Sequence, residues 1–352
     1  MDIQNIISKI TSLKKTLKDS VVIPAHHYIK SDIIAQADIV GDSYKLAKDC
    51  SKTQADFILF CGVKFMAEGA RLLAKPNQKV LMPTLLAGCP LAEMIDESTA
   101  CEAYKLISSL CAYEVAPVVY VNSNVSLKSF CGKHNGAICT SSNAGKIINT
   151  YLNQGKAVFF SPDYNLGINS ARILQLPENQ IVIVKKDLSL LCKGSIKNAR
   201  IFLWDGCCYV HKKFTVEHIR KLREQYPNIQ IIVHPECDEE VVLQCDFVGS
   251  TQTILNTIKD APTGSIWGVG TEYHFVERMA QNFSNKTILP LKISCCEDMG
   301  RITFQNVYES LQSIVQYPEK NRLLYEVTIP VEYYTNAKKA MHNMLSIVED
   351  NK

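Results

Sequence analysis

The chain has 352 residues, 47% of them apolar and 21% charged, with a formal net charge of +3. These are the proportions of a globular protein with room for two or three domains of ordinary size, not of a disordered chain. So small a charge gives no case for nucleic acid or an anionic membrane surface as a partner.

Residues 2–18 place Ile3, Ile6, Ile7, Ile10, Leu13 and Leu17 along one side of an amphipathic helix, with no apolar secretory-signal core. No apolar run approaches the roughly 20 residues that cross a bilayer, so the expected location is the cytoplasm. A strand over 21–24 ends in Ala25-His26-His27-Tyr28. A second, Ile39-Val40, ends in Gly41-Asp42-Ser43, whose serine is placed to cap the next helix. Strands over 57–60 and 79–82 end in Cys61-Gly62-Val63 and, a few residues beyond Pro83, in Ala87-Gly88-Cys89.

The pattern then starts again. A helix over 100–113 leads to a strand over 117–121 that ends at Tyr120 and Asn122. Strands over 136–138, 157–160 and 201–204 end in Cys139-Thr140-Ser141-Ser142-Asn143, in Ser161-Pro162-Asp163 and in Gly206-Cys207-Cys208. A third pass has a helix over 215–226 and a strand over 229–233 that ends in His234-Pro235-Glu236-Cys237. Phe247-Val248 runs into Gly249-Ser250-Thr251, residues 266–269 into Gly270-Thr271-Glu272, and residues 288–293 into Ser294-Cys295-Cys296. The expected fold is therefore α/β: three pseudo-repeated αβα units with small parallel sheets around a central cavity, related by pseudo-threefold symmetry. The units are expected at 1–90, 91–209 and 210–299. The tail, 300–352, with an apolar stretch at 327–329 and a helix near 336–347, is expected to pack back on the first.

In a cytoplasmic chain the fourteen cysteines should be thiols, which points to metal or catalysis more than to disulfides. No two stand three apart, which argues against a zinc ribbon, a ferredoxin-like run or thioredoxin chemistry. Most, such as Cys101, Cys111 and Cys192, read as small core hydrophobes. If the three units face one cavity, Cys89, Cys208 and Cys296 converge there. Three thiolates suit a zinc with an open position or a four-iron cluster with one iron free; three separate core cysteines fit the spacing equally well. The serine- and threonine-rich strand ends open helices, whose N-termini favour anions such as phosphate and carboxylate, although ordinary capping is their commoner use. His26, Tyr28, Tyr120, His234 and Glu236 supply groups able to move protons. His27 should point away from His26 and Tyr28 on an extended segment. His211 stands either behind a metal or against substrate, or is a satisfied loop histidine. There is no phosphate-binding loop with a Gly-Lys-Ser/Thr end and no Gly-x-Ser-x-Gly elbow, and Gly268-Val269-Gly270 lacks the third glycine of a dinucleotide fingerprint.

Taken together, these segments resemble the quinolinate synthase family over nearly the whole chain. The resemblance is carried by Ala25-His26-His27-Tyr28, Gly41-Asp42-Ser43, Cys61 through Glu68, Ala87-Gly88-Cys89, Tyr120-Val121-Asn122, Thr140 through Ala144, and Pro162-Asp163 with Asn165-Leu166-Gly167. It continues through Trp204 to His211, His234-Pro235-Glu236-Cys237, Gly249-Ser250-Thr251, Gly270-Thr271-Glu272 and Cys296-Glu297-Asp298-Met299. It implies a [4Fe-4S] cluster held by Cys89, Cys208 and Cys296, with one iron open as a Lewis acid; Cys295 competes with Cys296 if a small insertion shifts the register. It implies condensation of iminoaspartate with dihydroxyacetone phosphate to quinolinate, releasing phosphate and water, on the route to NAD. L-aspartate oxidase is then the expected source of the imine.

By the same resemblance His26, Tyr28, Ser43, Tyr120, Asn122, Ser141, His234, Glu236, Ser250 and Thr251 line the substrate cavity. Tyr28 and Glu236 transfer protons, with His26 and His234 beside them in the catalytic set. The chain departs from the family at Ile29, Pro90 and Tyr273-His274, which bears on fine substrate geometry and not on the reaction.

Overall fold

The computed structural model describes residues 3–349. The chain opens with α1 (Ile3–Leu17), β1 (Val21–Val22), β2 (Pro24–His26), α2 (Ser31–Ile34), β3 (Ile39–Gly41), α3 (Ser43–Lys52), β4 (Phe57–Leu59), α4 (Lys64–Leu73) and β5 (Lys79–Leu81). Next come α5 (Glu97–Leu110), β6 (Val115–Tyr120), α6 (Val125–Lys133), β7 (Ala137–Cys139), α7 (Ala144–Asn153), β8 (Ala157–Ser161), α8 (Tyr164–Ile173), β9 (Ile181–Val184), β10 (Leu190–Cys192) and β11 (Ile201–Trp204). A third group holds α9 (Val216–Gln225), β12 (Gln230–Val233), α10 (Glu239–Val242), β13 (Phe247–Val248), α11 (Thr251–Asp260), β14 (Ile266–Gly270), α12 (Tyr273–Asn282) and β15 (Thr287–Pro290). The chain closes with α13 (Glu297–Gly300), α14 (Phe304–Lys320) and α15 (Val331–Glu349).

The class is α/β, with small, mostly parallel sheets interleaved with helices. The third sheet has the order β13-β12-β14-β15, and the second β10-β9-β11-β8-β6-β7. In the first group β1-β4-β5 and β2-β3 are separate sheets, joined by the single bridge Ala25↔Cys61. Counting β1 and β2 as one interrupted strand, the first and third groups run second, first, third, fourth. The second group runs β7-β6-β8-β11, and follows the same order only when β9 and β10, which precede β11 in the chain and lie outside it in the sheet, are set aside. The central strands β6, β8 and β11 are buried throughout, as parallel strands covered on both faces must be.

Several details differ from the sequence reading. The strand expected over 21–24 breaks at Ile23, because the Asp38 carboxylate takes the Ile23 N–H at 2.8 Å and Pro24 has no N–H to give. Ser43 does not cap α3; the Asp42 carboxylate does, accepting the Lys45 N–H at 2.9 Å. The strand expected over 288–293 stops at Pro290. In the second sheet β9 and the antiparallel edge strand β10 were not anticipated. Cys192 ends that edge strand and is exposed, so it is not a core residue.

The tail, expected on the first unit, divides. Helix α14 lies on α1, and Tyr325 and Val327 pair with Met82 and Val80 along β5, at 3.1 and 2.8 Å. Helix α15 lies instead on α6, β7 and α4. One continuous apolar core consequently runs through the first two groups and the tail. The third sheet has two small cores of its own: Ile232, Trp267 and Val269 pack beneath α11 and α12, while Ile231, Val233 and Phe214 pack on the opposite face. Among the described residues no helix is long and apolar enough to cross a membrane.

Candidate active site and metal centre

The carboxyl ends of the parallel strands open on one cavity, the usual place for ligands in α/β folds. Of the residues singled out in the sequence, His26, Tyr28, Ser43, Tyr120, Asn122, Ser141, His234, Glu236, Thr251, Cys89, Cys208 and Cys296 all line it. Ser250 does not; it caps α11 just behind the wall, its hydroxyl 3.2 Å from Asp42 Oδ2. Asp42 itself lines the cavity, and no lysine or arginine does so among the described residues. His27 lies off the cavity, against Phe275 and 3.4 Å from the Gln252 side chain.

Two of the strand ends are built alike. The Tyr28 N–H donates to His26 Nδ1 at 3.2 Å, and the Glu236 N–H donates to His234 Nδ1 at 3.3 Å. Each histidine therefore accepts at Nδ1 and carries its proton on Nε2. Burial holds both neutral: His26 sits well below the ordinary histidine range, and His234 falls to about 3, with His211 adding to the effect. The turn bearing Glu236 is gripped from the second group, where Asn165 Nδ2 donates to Glu236 O at 3.2 Å and Asn169 Nδ2 to Pro235 O at 2.9 Å.

A hydrogen-bonded chain crosses the cavity wall. The Tyr28 hydroxyl lies 2.8 Å from Thr271 Oγ1 and 3.4 Å from His211 Nε2. His211 Nε2 is 3.1 Å from the same threonine, and its Nδ1 is 2.7 Å from Glu236 Oε2. His211 also stacks on His234, centroids 4.3 Å apart. Burial by itself would raise the Glu236 carboxyl, but His211 and His234 outweigh it and hold the group below the usual carboxylate range. Burial, then the Glu236 charge, raises Tyr28 and Tyr120 well above the ordinary phenol. Glu236 is thus the anion, and Tyr28 the protonated end of the relay. For His211 the sequence left three roles open, and the structure puts it on the cavity; Thr271 had none, since Gly270-Thr271-Glu272 was visible as a motif but its use depends on a contact with a residue 243 positions away.

The three cysteines come from different groups and meet on the cavity as free thiols. Burial pushes Cys89 up to about 12 and Cys296 to about 11, and raises Cys208 well above the ordinary thiol. Cys296 and Cys89 stand close enough to raise each other's neighbours' burden of charge: Cys296 adds to the shift of Cys89, and Cys89 to that of Cys208. Such thiols ionise only beside a strong positive centre, which a bound metal provides. Cys207 faces away, onto a separate surface pocket with Asp205, Lys212 and Asp238. Cys295 is likewise absent from the cavity lining. Asp163, fully buried, caps α8 through the Leu166 N–H at 2.6 Å and bridges to Gly206, whose carbonyl takes the Tyr164 N–H at 2.8 Å. That pairing anchors the start of the loop that carries Cys208.

Residues 8–346 match the protein family described as Quinolinate synthetase A protein. The chain belongs to the quinolinate synthase family. It is 39% identical to the quinolinate synthase of Bacillus subtilis strain 168, over 97% of this chain and 92% of that one. It is 38% identical to that of Streptomyces coelicolor (97% and 88% covered) and 36% to that of Geobacillus sp. strain WCH70 (99% and 95% covered). A solved Plasmodium falciparum E-1-hydroxy-2-methyl-but-2-enyl-4-diphosphate reductase aligns at a TM-score of 0.27 and 12% identity over 99% of this chain and 94% of that one, too slight a likeness to argue from. As a quinolinate synthase the chain is an enzyme, and its cavity offers a metal three soft donors with no competing lysine or arginine in the lining. Asn122 adds a buried side-chain oxygen with no partner in the protein, left free for a ligand.

Proposed function

We propose that this enzyme condenses iminoaspartate with dihydroxyacetone phosphate to give quinolinate, phosphate and water, in the biosynthesis of NAD. The observation that carries the reading is the relay from Tyr28 through Thr271 and His211 to Glu236, on the same cavity as Cys89, Cys208 and Cys296. Those three thiolates would hold a [4Fe-4S] cluster, which when bound supplies an open Lewis-acid position for a substrate oxygen. Enolisation, imine formation and dehydration each need a proton moved. Glu236, ionised and bonded to His211, takes a proton; Tyr28, kept protonated by burial, returns one. His26 and His234, neutral with Nε2–H, donate hydrogen bonds to carboxylate oxygens without adding charge.

With no lysine or arginine in the lining among the described residues, the phosphate would be met by neutral donors. Ser43, Ser141 and Thr251, at or beside the starts of α3, α7 and α11, supply hydroxyls and free N–H groups for it. Asn122 and Tyr120 orient the other substrate. The threefold arrangement of the units around this cavity belongs to the same proposal, supported by the strand order that the first and third groups share and that the second keeps once β9 and β10 are set aside. An L-aspartate oxidase is the partner that would supply the imine.

Anaerobic purification followed by iron, sulfide and zinc analysis, with assay of quinolinate from the two substrates, tests the reading. About four iron and four sulfide per chain, with quinolinate formed only when both substrates are present, is the expected result. Stoichiometric zinc without sulfide, or no quinolinate from iron-loaded protein, overturns it.

A further inference from the structure

Behind the cavity wall, Cys295 takes part in a second cluster of donors. It lies off the cavity that Cys296 lines and approaches Glu272, the residue that caps α12, and His274, in that helix's first turn. One donor atom from each of Glu272, His274 and Cys295 lies within 4.8 Å of the others. Glu272 is fully buried and fixed: Oε1 accepts from the Cys296 N–H at 3.3 Å and lies 2.7 Å from His274 Nδ1, while Oε2 accepts from the Phe275 N–H at 3.3 Å. His274 and Cys295 are half-buried, able to turn and open to solvent.

We propose that Glu272, His274 and Cys295 form a second metal site, for a borderline-soft divalent ion such as zinc or ferrous iron. Thiolate with imidazole selects against magnesium and calcium, and three protein donors with solvent in the fourth position is a familiar tetrahedral set. Bonds of about 2.0–2.3 Å hold the donors of a tetrahedral ion about 3.3–3.6 Å apart, so binding requires the 2.7 Å His274–Glu272 pair to open and the Cys295 thiol to come within that range. Binding expels the thiol proton of Cys295 and the proton shared between His274 and Glu272. Of the charged side chains near the site, Lys30, Lys213 and Arg278 oppose a cation and Glu277 favours one; Arg278 is turned to the His27 and Ile29 carbonyls. Both lysines are exposed and remain hydrated. Because Glu272 also holds the Cys296 N–H, the ion pins the loop that presents Cys296 to the cavity.

The inference rests on Cys296, not Cys295, serving the cluster. Iron-loaded enzyme, prepared anaerobically, is mixed with a slight excess of zinc chloride, gel-filtered and analysed for iron and zinc. The wild type is expected to keep about one zinc per chain, as a single three-donor site requires, with its iron unchanged. Retention should drop about tenfold or more in His274→Ala and in Cys295→Ser, with iron retained. Iron-loaded wild type that keeps no zinc, or zinc kept in full by His274→Ala, overturns the site. Loss of iron in Cys295→Ser assigns that thiol to the cluster and overturns it too. Failure of the proposed function reads out separately, as wild-type protein without iron and sulfide.

Discussion

Cys207 and Cys208 are adjacent in sequence and face different spaces. Cys208 lines the central cavity, while the Cys207 amide bonds Met94 Sδ at 3.2 Å and its side chain faces the surface pocket. Cys208→Ser should therefore strip iron and sulfide from the anaerobically purified enzyme and Cys207→Ser should leave both; equal loss from two folded variants would show that both thiols serve. Glu236→Gln keeps the shape of the side chain but cannot take a proton or hold His211 as an anion does. Its kcat should fall about 10²–10⁴-fold with the iron content unchanged, and normal turnover would remove Glu236 from the relay. His27 offers a third test. Burial, reinforced by Arg278, lowers it from 6.5 to about 4, so between those values the unfolded chain binds a proton that the folded chain refuses. Stability then falls as pH falls through 6.5 and levels off below about 4. From pH 7 to 5, cluster-free wild type should lose about 2 kcal/mol more than His27→Gln, read from urea midpoints; parallel pH profiles would mean that His27 titrates alike in both states. Donor types at strand ends were legible in the sequence, and they gave the three cysteines, His26, Tyr28 and Glu236. His211 and Thr271 were not, because a histidine three residues past a cysteine fits several roles until its carboxylate partner is placed beside it.

At the scale of elements, apolar runs between turn residues located most strands, since buried parallel strands write themselves as uninterrupted Val, Ile and Phe. Their ends were less legible. The break at Ile23 depends on the Asp38 carboxylate, and the run 181–184 passed unnoticed although it pairs along the whole of β11. Least legible was α15, whose placement on α6 depends on how closely two backbones approach. A Cβ built on Gly132 of α6 would stand 1.8 Å from Asn336 O of α15, while one on Gly145 of α7 meets nothing within 4 Å. Gly132→Ala should destabilise the protein by more than about 1–3 kcal/mol, the usual range for overpacking, since backbone and not a movable side chain is in the way. Gly145→Ala should be neutral or stabilise by up to about 1 kcal/mol, because only helix propensity changes. Urea midpoints measure both, and equal effects from the two substitutions would mean that α15 does not lie on Gly132.

The molecule as a whole is held together unevenly. The first two groups and the tail share one core, whereas the third sheet packs on cores of its own. What joins that sheet to the rest is largely polar: Tyr28 to Thr271, Asn165 and Asn169 to the turn bearing Glu236, Asp42 to Ser250, and Arg278 to the His27 and Ile29 carbonyls at 2.5 and 3.1 Å. A cluster bound by Cys89, Cys208 and Cys296 would add a tie from each group to one centre. Anything that binds the assembled state alone stabilises it by mass action, and the gain falls on whichever opening breaks the site. Opening the third sheet releases the Glu272 and Tyr273 contacts that hold the loop presenting Cys296, so that opening is the one a bound cluster would suppress. Removing the cluster with a chelator under argon should accelerate hydrogen exchange in β12 and β14 by about tenfold or more, a free-energy change of about 1.4 kcal/mol. Exchange in β6 and β8, inside the shared core, should change little. Acceleration of equal size in both sheets would mean that the chain opens as one unit, and no acceleration in β12 and β14 would mean that the cluster does not tie the third sheet to the others.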